Sequence, residues 1–499
     1  MIMEKDIFDD LIIFEMANNH QGNVEHGIRI IKEMGRLARK HNVRCAIKLQ
    51  YRNLDTFIHP DYKGRKDIAH IPRFESTRLS YEMFSTLVEI IKKEDMIAMS
   101  TPFDEDTVDW CVDQGLDIIK IASCSSLDWP LLDKVAKSKK PIIISTGGRT
   151  IEDIDNIYSF FIHRNCNFAF LHCVAEYPAP SEHIQLDFID KLKTRYWSIA
   201  IGYSGHENPD NNFIQMMAIA KGARILERHV GVPNDSISLN KYSLAPSQVD
   251  EWLKSIVEAR ELCKMKNGKK FISEDERLSL TSLQRGIFAN GTIKAGEIIT
   301  VSNIYFAMPC ADGQMTSGEF YNGLVASRDY VKDEAIYEAK EMTDVRYLRS
   351  AIHDVKGILL ESGIAVGNNI DAEISHHYGI KHFRRTGCTL LNIINREYCK
   401  KIIIVLPGQS HPTHYHAIKE ETFQLLYGDL KCCINDKTYS MSPGDIMTVM
   451  RYDKHSFSSV HGAIFEEVST THIKGDSYYD DAEIMKGDYM DRKTVLKEW

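Results

Sequence analysis

The sequence contains few of the signals that would place a protein outside the cytoplasm or on a membrane. No uninterrupted apolar run approaches the roughly 20 residues of a transmembrane helix, and the first ten residues are acidic and mixed, without a signal-peptide core. The eleven cysteines are scattered, odd in number and never spaced Cys-x-x-Cys, which fits a reducing compartment better than a disulfide framework. We therefore expect a cytoplasmic protein with no membrane partner.

The sequence also lacks an excess of positive charge. Its 499 residues carry a formal net charge of −9, so bulk electrostatics give no support for a nucleic-acid partner. We expect no such partner, and any anionic substrate must then be held by locally placed lysines. The length exceeds that of one ordinary domain, so two or three domains are expected.

What the sequence does contain is a strand-then-helix pattern that is repeated through about the first 260 residues. Eight short apolar runs are expected to be strands, at residues 12–17, 45–50, 95–103, 117–123, 141–147, 168–174, 198–206 and 224–230. An open doubly wound sheet is the alternative, but it usually carries a glycine-rich nucleotide turn, and the sequence has none. The pattern therefore predicts an α/β fold whose strands close into a (β/α)8 TIM barrel.

Two histidines, His206 and His229, stand where the last two predicted strands end. The carboxyl ends of all strands of such a barrel meet at one mouth, so the two imidazoles could share one metal ion there. Either histidine alone would be interpreted as an ordinary polar residue at a strand end. The presence of Ser204 and Glu227 beside them favours a site.

Two lysines, Lys48 and Lys120, interrupt other apolar strands. A buried ammonium group is costly without an anionic partner. The alternative, in which the stem is covered and the ammonium reaches solvent, is weaker because two lysines are placed alike. With the hydroxyl groups of nearby strand ends they indicate a cradle for phosphate and carboxylate. Glu15 is a base, an acceptor for sugar hydroxyls, or a structural partner of a lysine.

Eight motifs along the barrel resemble those of the sialic acid synthase family and occur in that family's order. They are residues 15–22, 47–50, 100–104, 120–123, 145–147, 171–178, 202–206 and 227–229. The β-rich stretch that follows, with residues 293–300 and Gly313, resembles the antifreeze-like (SAF) domain that follows the barrel in this family. Residues 286–291 and 293–300 are expected to be short strands.

The resemblance implies an enzyme that joins phosphoenolpyruvate to an aldose, releases phosphate and makes a 2-keto-3-deoxy sugar acid. It implies that His206 and His229 bind a divalent ion, Mn²⁺ or else Mg²⁺. Four residues are expected to be catalytic: Glu15, Lys48, Lys120 and Glu227. Six are expected to bind the substrates: Gln50, Thr101, Ser123, Ser145, Tyr177 and Ser204.

The sequence departs from the family pattern mainly at positions that face the sugar. Glu176 stands where an asparagine is common, and Asn240 stands where an aspartate is usual. The Arg-Pro-Gly segment of the SAF domain is replaced at residues 308–309, so its arginine is lost. We therefore expect the acceptor to differ from N-acetylmannosamine.

The last segment, from about residue 346, becomes strand-rich from Thr389 onward and resembles the cupins. The two cupin motifs supply a ligand set of His414, His416, Glu421 and His455. Three imidazoles and a carboxylate suit Zn, Mn, Fe or Ni, so a second metal is expected; a cupin without metal is the alternative. The segment resembles sugar-directed cupins more than oxygenases.

Together these patterns predict three domains: a TIM-barrel synthase domain at 1–275, a SAF domain at 284–345 and a C-terminal β-barrel cupin domain at 365–480. In the resembling family the SAF domain covers the partner's barrel, so a domain-swapped homodimer is expected. We favour a synthase whose cupin acts on or senses the same pathway. The alternatives are a bifunctional enzyme whose cupin isomerises or epimerises the sugar, and a sugar-binding or regulatory protein with a disabled barrel.

Overall fold

Two compact units, Met1–Ile272 and Ser273–Trp499, make up the chain. The structure is a computed structural model and describes residues 6–265, 270–321, 323–338, 344–367, 369–497 and 499. The polar linker predicted at 266–270 lies, apart from its last residue, outside the described residues. No helix within the described ranges is both long and apolar enough to cross a membrane.

The first unit contains a closed barrel of eight parallel strands, which confirms the predicted fold. The strands are β1 Leu11–Glu15, β2 Cys45–Tyr51, β3 Ile97–Pro102, β4 Ile118–Ile121, β5 Ile142–Ser145, β6 Phe168–Cys173, β7 Ala200–Gly205 and β8 Ile225–His229. Each strand pairs with the next in sequence, and β8 returns to β1 with Glu15 opposite His229. Several strands are shorter than predicted at one or both ends, and the residues lost at their carboxyl ends belong to the loops of the barrel mouth.

Helices α1–α10 accompany the strands. Their bounds are Val24–His41, Leu54–Phe57, Ile71–Ser76, Tyr81–Lys93, Glu105–Asp113, Trp129–Lys137, Ile151–Ile162, Asp187–Arg195, Asn212–Ala220 and Pro246–Leu262. Local sequence fixes many of their ends. The side chain of Asn23 accepts from the His26 N–H at the start of α1, and Asn42 ends that helix at a φ of 51°. Thr150 and Asp153 form a reciprocal capping box at the start of α7.

Alternation along the strands builds two apolar layers. Ile12 and Phe14 of β1 pack outward into the large cluster between strands and helices. Ile13, between them, faces inward to a smaller cluster that fills the barrel interior with Met99, Ile118 and residues of the other strands. Successive side chains of a strand point to opposite faces, so both layers arise from the same short apolar runs.

The second unit begins with helix α11, Glu274–Leu283, which the sequence patterns did not predict. Strands β9 Gly286–Ala289 and β10 Ile304–Ala307 pair as a two-stranded sheet. The expected strand at 293–300 is wrong, because this stretch makes only single bridges, such as Ile293 to Tyr330. The turn residues within this stretch leave too few consecutive extended residues to form a continuous ladder of hydrogen bonds with a second strand.

The rest of the second unit is a helix followed by two packed sheets, which confirms the predicted β-rich C-terminal region. The helix is α12, Asp344–Ser362. The strands are β11 Ala372–Ser375, β12 Cys388–Asn395, β13 Tyr398–Val405, β14 Ser410–Tyr415, β15 Glu421–Gly428, β16 Leu430–Ile434, β17 Lys437–Met441, β18 Ile446–Val449, β19 His455–Ser458, β20 Ala463–Thr470, β21 Tyr478–Tyr479 and β22 Lys493–Leu496, with helix α13 Ala482–Lys486 before the last strand. The sheets have the orders β18-β15-β20-β13-β12-β11-β22 and β17-β16-β19-β14-β21.

Candidate active site and metal centre

Every residue that the sequence predicted for the barrel site lines one cavity of about 580 Å³ at the barrel mouth. The twelve are Glu15, Lys48, Gln50, Thr101, Lys120, Ser123, Ser145, Tyr177, Ser204, His206, Glu227 and His229. The fold therefore brings together all of them, although they come from eight different strands or the loops that follow them. Their roles stay predictions.

Strand alternation explains why so many of these side chains converge. Six buried residues of the interior cluster are each followed, two positions later, by a polar residue that faces the cavity. This step leads from Ile13 to Glu15, from Ala46 to Lys48, from Met99 to Thr101, from Ile118 to Lys120, from Ile143 to Ser145 and from Ile225 to Glu227. Residues two apart share a face of a strand, so the barrel interior beneath the cavity is apolar, whereas the cavity floor and the mouth are polar.

Two lysines and two glutamates form a buried ionic cluster at the centre of the mouth. Lys48 Nζ lies 2.5 Å from Glu15 and 2.9 Å from Glu227, and Lys120 Nζ lies 3.3 Å from Glu227. The Lys48 and Lys120 side chains are only 5% and 2% exposed. The alternative in which their ammonium groups reach solvent is therefore wrong, and carboxylates compensate the cost of burial.

The pKa values of the two carboxylates in this cluster are shifted in opposite directions. Burial raises the pKa of Glu15, although Lys48 opposes the shift. Burial also acts to raise the pKa of Glu227, but Lys120 and Lys48 outweigh it and hold this pKa well below its ordinary range. The Ser204 hydroxyl donates to Glu227 at 2.8 Å. Glu15 is therefore the carboxyl group better placed to exchange a proton, and Glu227 stays ionised.

His206 and His229 face each other with ring centroids 5.3 Å apart. The backbone oxygen of Val174, 2.9 Å from His206 Nδ1, can only accept, so this nitrogen carries the proton and Nε2 keeps a lone pair. His229 Nδ1 is buried and has no hydrogen-bond partner among the described residues. Burial lowers the pKa of His206 to about 4 and that of His229 well below its usual value. Both rings are thus neutral, the form that binds a metal, and the pair fits a divalent ion.

Several residues of the cavity were missed by the sequence reasoning. They are Asn18, Asn19, Arg52, Arg73 and Tyr242. Strand alternation could have found Arg52, because it lies two residues after Gln50. Arg73 and Tyr242 come from loop and helix segments above the mouth and carry no such periodic signal.

In the cupin region, His414, His416 and His455 place one ring nitrogen each within 4.8 Å of one another. Each Nδ1 lies near a backbone oxygen, of Pro412, Asp476 and Asp453 respectively. These oxygens only accept, so each Nδ1 is protonated and each Nε2 keeps its lone pair for a metal.

Glu421, the predicted fourth ligand, lies beside this triad. Its carboxylate is 3.3 Å from His416 Nε2 and 3.1 Å from His455 Nε2. Lys419, two residues earlier, is buried and pairs with Glu421, and its ammonium is also 3.2 Å from Glu467. Although burial opposes it, Lys419 holds the pKa of Glu421 well below its ordinary range. The carboxylate is therefore ionised, and the set fits a transition metal.

The four cupin residues line a cavity of about 480 Å³ whose wall contains further groups that the sequence reasoning missed. His377 and His411 lie with their Nε2 atoms 3.1 Å apart. Lys401, another lining residue, pairs with Glu467 at 3.4 Å. His411 lies on β14 with His414, whereas His377, Lys401 and Glu467 come from other strands and loops, so no spacing pattern links those three residues to the metal triad.

Comparisons with known proteins match the barrel region and the C-terminal β-rich region of the chain to two different families. The NeuB family matches residues 37–268, and the Cupin domain matches residues 401–466. A solved structure from Chromobacterium violaceum, assigned provisionally to spore coat polysaccharide biosynthesis protein E, is 44% identical with a TM-score of 0.64, and the match covers 66% of this chain and 98% of that one.

Two curated relatives from Campylobacter jejuni are named as synthases. The N,N'-diacetyllegionaminic acid synthase is 29% identical over 54% of this chain and 81% of its own length. The pseudaminic acid synthase of strain 81-176 is 29% identical over 66% of this chain and 95% of its own length.

Proposed function

We propose that this chain, which belongs to the NeuB family, condenses phosphoenolpyruvate with an aldose to give a 2-keto-3-deoxy sugar acid and phosphate. The observation that carries this proposal is the buried cluster of Lys48, Lys120, Glu15 and Glu227 beside two neutral histidines in one cavity. Charge-assisted donors suit the carboxylate and phosphate of phosphoenolpyruvate. A pair of imidazoles suits the ion that would organise the aldehyde.

In the proposed mechanism C3 of phosphoenolpyruvate bonds to the aldehyde carbon, and water adds at C2. The C2–O bond to phosphate then breaks to leave the 2-keto group. Of the two protons of the water, one ends on the former aldehyde oxygen and the other leaves with phosphate. His206 and His229 would hold a divalent ion, Mn²⁺ or Mg²⁺, which when bound supplies Lewis acidity toward the aldehyde oxygen. Lys48 and Lys120 bind the oxyanions and balance the charge of the departing phosphate. Glu15 accepts the proton that the adding water loses, and Glu227 keeps both ammonium groups in place.

The direct test is phosphate release from phosphoenolpyruvate with a panel of aldoses and Mn²⁺, with the product identified by mass. We expect release that depends on the aldose and a product mass equal to the aldose plus the pyruvate unit. No release with any aldose, in a protein that is folded by circular dichroism, would favour the alternative of a sugar-binding or regulatory protein.

The acceptor is expected to differ from N-acetylmannosamine. Asn240 lines the cavity where an aspartate is usual, and Met308 stands in place of the SAF arginine. A sugar hydroxyl or amide that lacks its hydrogen-bonding partner in the protein binds much more weakly in the transition state. N-acetylmannosamine should therefore be turned over far less efficiently than the best aldose in the panel; equal efficiency would remove this part of the proposal.

A second function is supported for the cupin region by the three convergent Nε2 atoms. His414, His416, Glu421 and His455 would hold Zn, Mn, Fe or Ni, and the site would isomerise, epimerise or bind a sugar of the same pathway. Incubating the full-length protein with each aldose, without phosphoenolpyruvate, and following sugar interconversion by NMR tests this. The loss of any interconversion in His414→Ala would assign it to the cupin, whereas its persistence would assign it to the barrel.

The assembly follows as part of the proposal. Residues 284–345 would form a SAF domain that covers the barrel of a partner in a cytoplasmic homodimer, with the barrel at 1–275 and the cupin at 365–480. Light scattering at micromolar concentration should give twice the chain mass. A fully active monomer would exclude the exchange.

A further inference from the structure

Arg52 is held in a defined position at the edge of the barrel cavity. Its guanidinium lies 3.6 Å from the ring centre of Phe103 and 4.2 Å from that of Phe74, so it is clamped between two aromatic rings. Its Nη2 donates to Gln50 Oε1 at 3.0 Å, while its Nε is buried without a hydrogen-bond partner among the described residues. A stacked guanidinium of this kind loses little entropy when it binds an oxyanion.

Arg73 brings a second guanidinium to the same cavity. It precedes Phe74 on α3, Ile71–Ser76, in the segment that joins β2 to α4, and it is exposed. Both arginines line the cavity, and neither forms an ion pair with a carboxylate in the part of the chain that the structure describes. An exposed arginine and a buried, stacked one that line the same cavity are suited to binding one anion between them.

The charges around the cavity are unequal. Four lining side chains are cationic, Lys48, Lys120, Arg52 and Arg73, and two are carboxylates, Glu15 and Glu227. The lysines and the carboxylates already pair with one another at the floor. Four cations and two carboxylates leave an excess of two positive charges. Because the lysines are already paired, this excess lies on the two arginines. The arginines therefore attract an anion other than the carboxylates of the floor cluster.

Phosphoenolpyruvate does not account for this pair. Its proposed ligands are the floor lysines and the hydroxyl groups at the strand ends, whereas Arg52 follows β2 and Arg73 belongs to the segment above the mouth. We propose that Arg52 and Arg73 form a subsite for an oxyanion carried by the acceptor sugar, a phosphate or a carboxylate at the end remote from the aldehyde. This inference rests on the proposed function and names the acceptor class for it.

The test compares matched acceptors in the full-length enzyme with Mn²⁺ and saturating phosphoenolpyruvate. Each neutral aldose (N-acetylmannosamine, mannose, arabinose) is paired with its terminal phosphate, and mannose is also paired with mannuronate. We expect kcat/KM to favour at least one charged member, with the phosphate and uronate arms separating the two sources of charge. Arg52→Met should reduce that preference roughly 10- to 150-fold, the range for a lost charge-assisted contact.

Three variants make the outcome specific. Arg73→Met removes an exposed side chain and should reduce the same preference without loss of folding. Arg52→Lys should restore part of it. Arg164→Met is the matched control, because Arg164 also stacks on a phenylalanine, Phe160, at 3.7 Å but lies outside the cavity; it should leave the preference unchanged.

Failure of the subsite and failure of the proposed function give different results. Turnover with no preference for any charged acceptor would overturn the subsite and leave the condensation standing. A rise in KM for phosphoenolpyruvate alone in Arg52→Met would also overturn it, because Arg52 would then hold that substrate. If no acceptor reacts, calorimetric titration with arabinose 5-phosphate still tests the subsite. Binding to the wild type that is lost in both Arg52→Met and Arg73→Met supports it. Equal binding to the wild type and the variants, or no binding to the wild type, overturns it.

Discussion

The barrel mouth and the cupin cavity both place buried histidines beside a lysine–glutamate cluster, but they differ in how much of a metal's coordination the chain can supply. In the barrel, His206 and His229 face the cavity, and among the described residues no third His, Cys, Asp or Glu joins them in a compact ligand group. In the cupin region three Nε2 atoms converge and Glu421 lies next to two of them.

The difference indicates two kinds of metal site. An ion held by two imidazoles keeps open positions that substrate oxygens fill, as in catalytic sites, and should exchange readily. An ion held by three imidazoles and a carboxylate is more nearly enclosed and should stay bound through purification. The four predictions that follow test this contrast, from the largest expected effect to the smallest.

The largest effect is expected from the barrel histidines. His206→Ala or His229→Ala should abolish measurable condensation, a larger loss than the roughly 100-fold that even an outer partner of a metal ligand can cost. Steady-state phosphate release with added Mn²⁺ measures it, with the exposed His163→Ala as the control. Normal turnover in either barrel variant would mean that these histidines hold no essential ion.

The second effect concerns the floor of the barrel. Lys120→Met should lower kcat/KM for phosphoenolpyruvate roughly 10- to 150-fold, since a charged contact contributes about 1.5–3 kcal/mol, while the KM of the sugar changes little. The surface variant Lys134→Met, which loses only an exposed pair with Asp109, is the control. Unchanged kinetics for phosphoenolpyruvate would remove Lys120 from its site.

The third effect is a dependence on pH that only the barrel should show. Burial lowers the pKa of Lys120 to about 8, even though Glu227 opposes the shift. The ammonium is charged below this pKa and loses its proton as the pH rises through it, so kcat/KM for phosphoenolpyruvate should fall up to about tenfold per pH unit above 8. In Lys120→Arg, whose charge does not titrate in this range, the decline should disappear. An identical decline in that variant would assign it to another group.

The smallest effect on condensation is expected from the cupin. His414→Ala should remove one equivalent of bound metal, measured by elemental analysis after extensive dialysis, and should leave phosphate release by the barrel unchanged. If the wild-type protein contains no metal after dialysis, the prediction that the cupin residues hold an ion is wrong. A parallel loss of condensation would show that the two sites depend on each other.

Much of this architecture could be predicted from the sequence because its signals are local. The alternation of short apolar runs with helical segments predicted the barrel, and the convergence of its strand ends placed Lys48, Thr101 and Lys120 at one mouth. The spacing of His414, His416 and Glu421 similarly predicted a cluster on neighbouring strands. The prediction of a strand at 293–300 was wrong because it, too, used only a local signal. A short apolar run does not specify a partner strand.

The sequence by itself therefore indicated which strand-end residues face the barrel cavity and which four residues could form the cupin site. The tertiary structure decided which of them touch and which other residues, such as Arg73 and His377, join them. Periodicity assigns a side chain to a face but not to a neighbour from another strand, so it could not tell that Glu227 pairs with both lysines while Glu15 pairs with one. The clamp on Arg52 likewise requires Phe74 and Phe103, which approach it only when α3 and the end of β3 pack over the mouth. Ion pairs and aromatic stacks depend on distances of a few ångströms between distant segments, and only packing of the whole unit sets those distances.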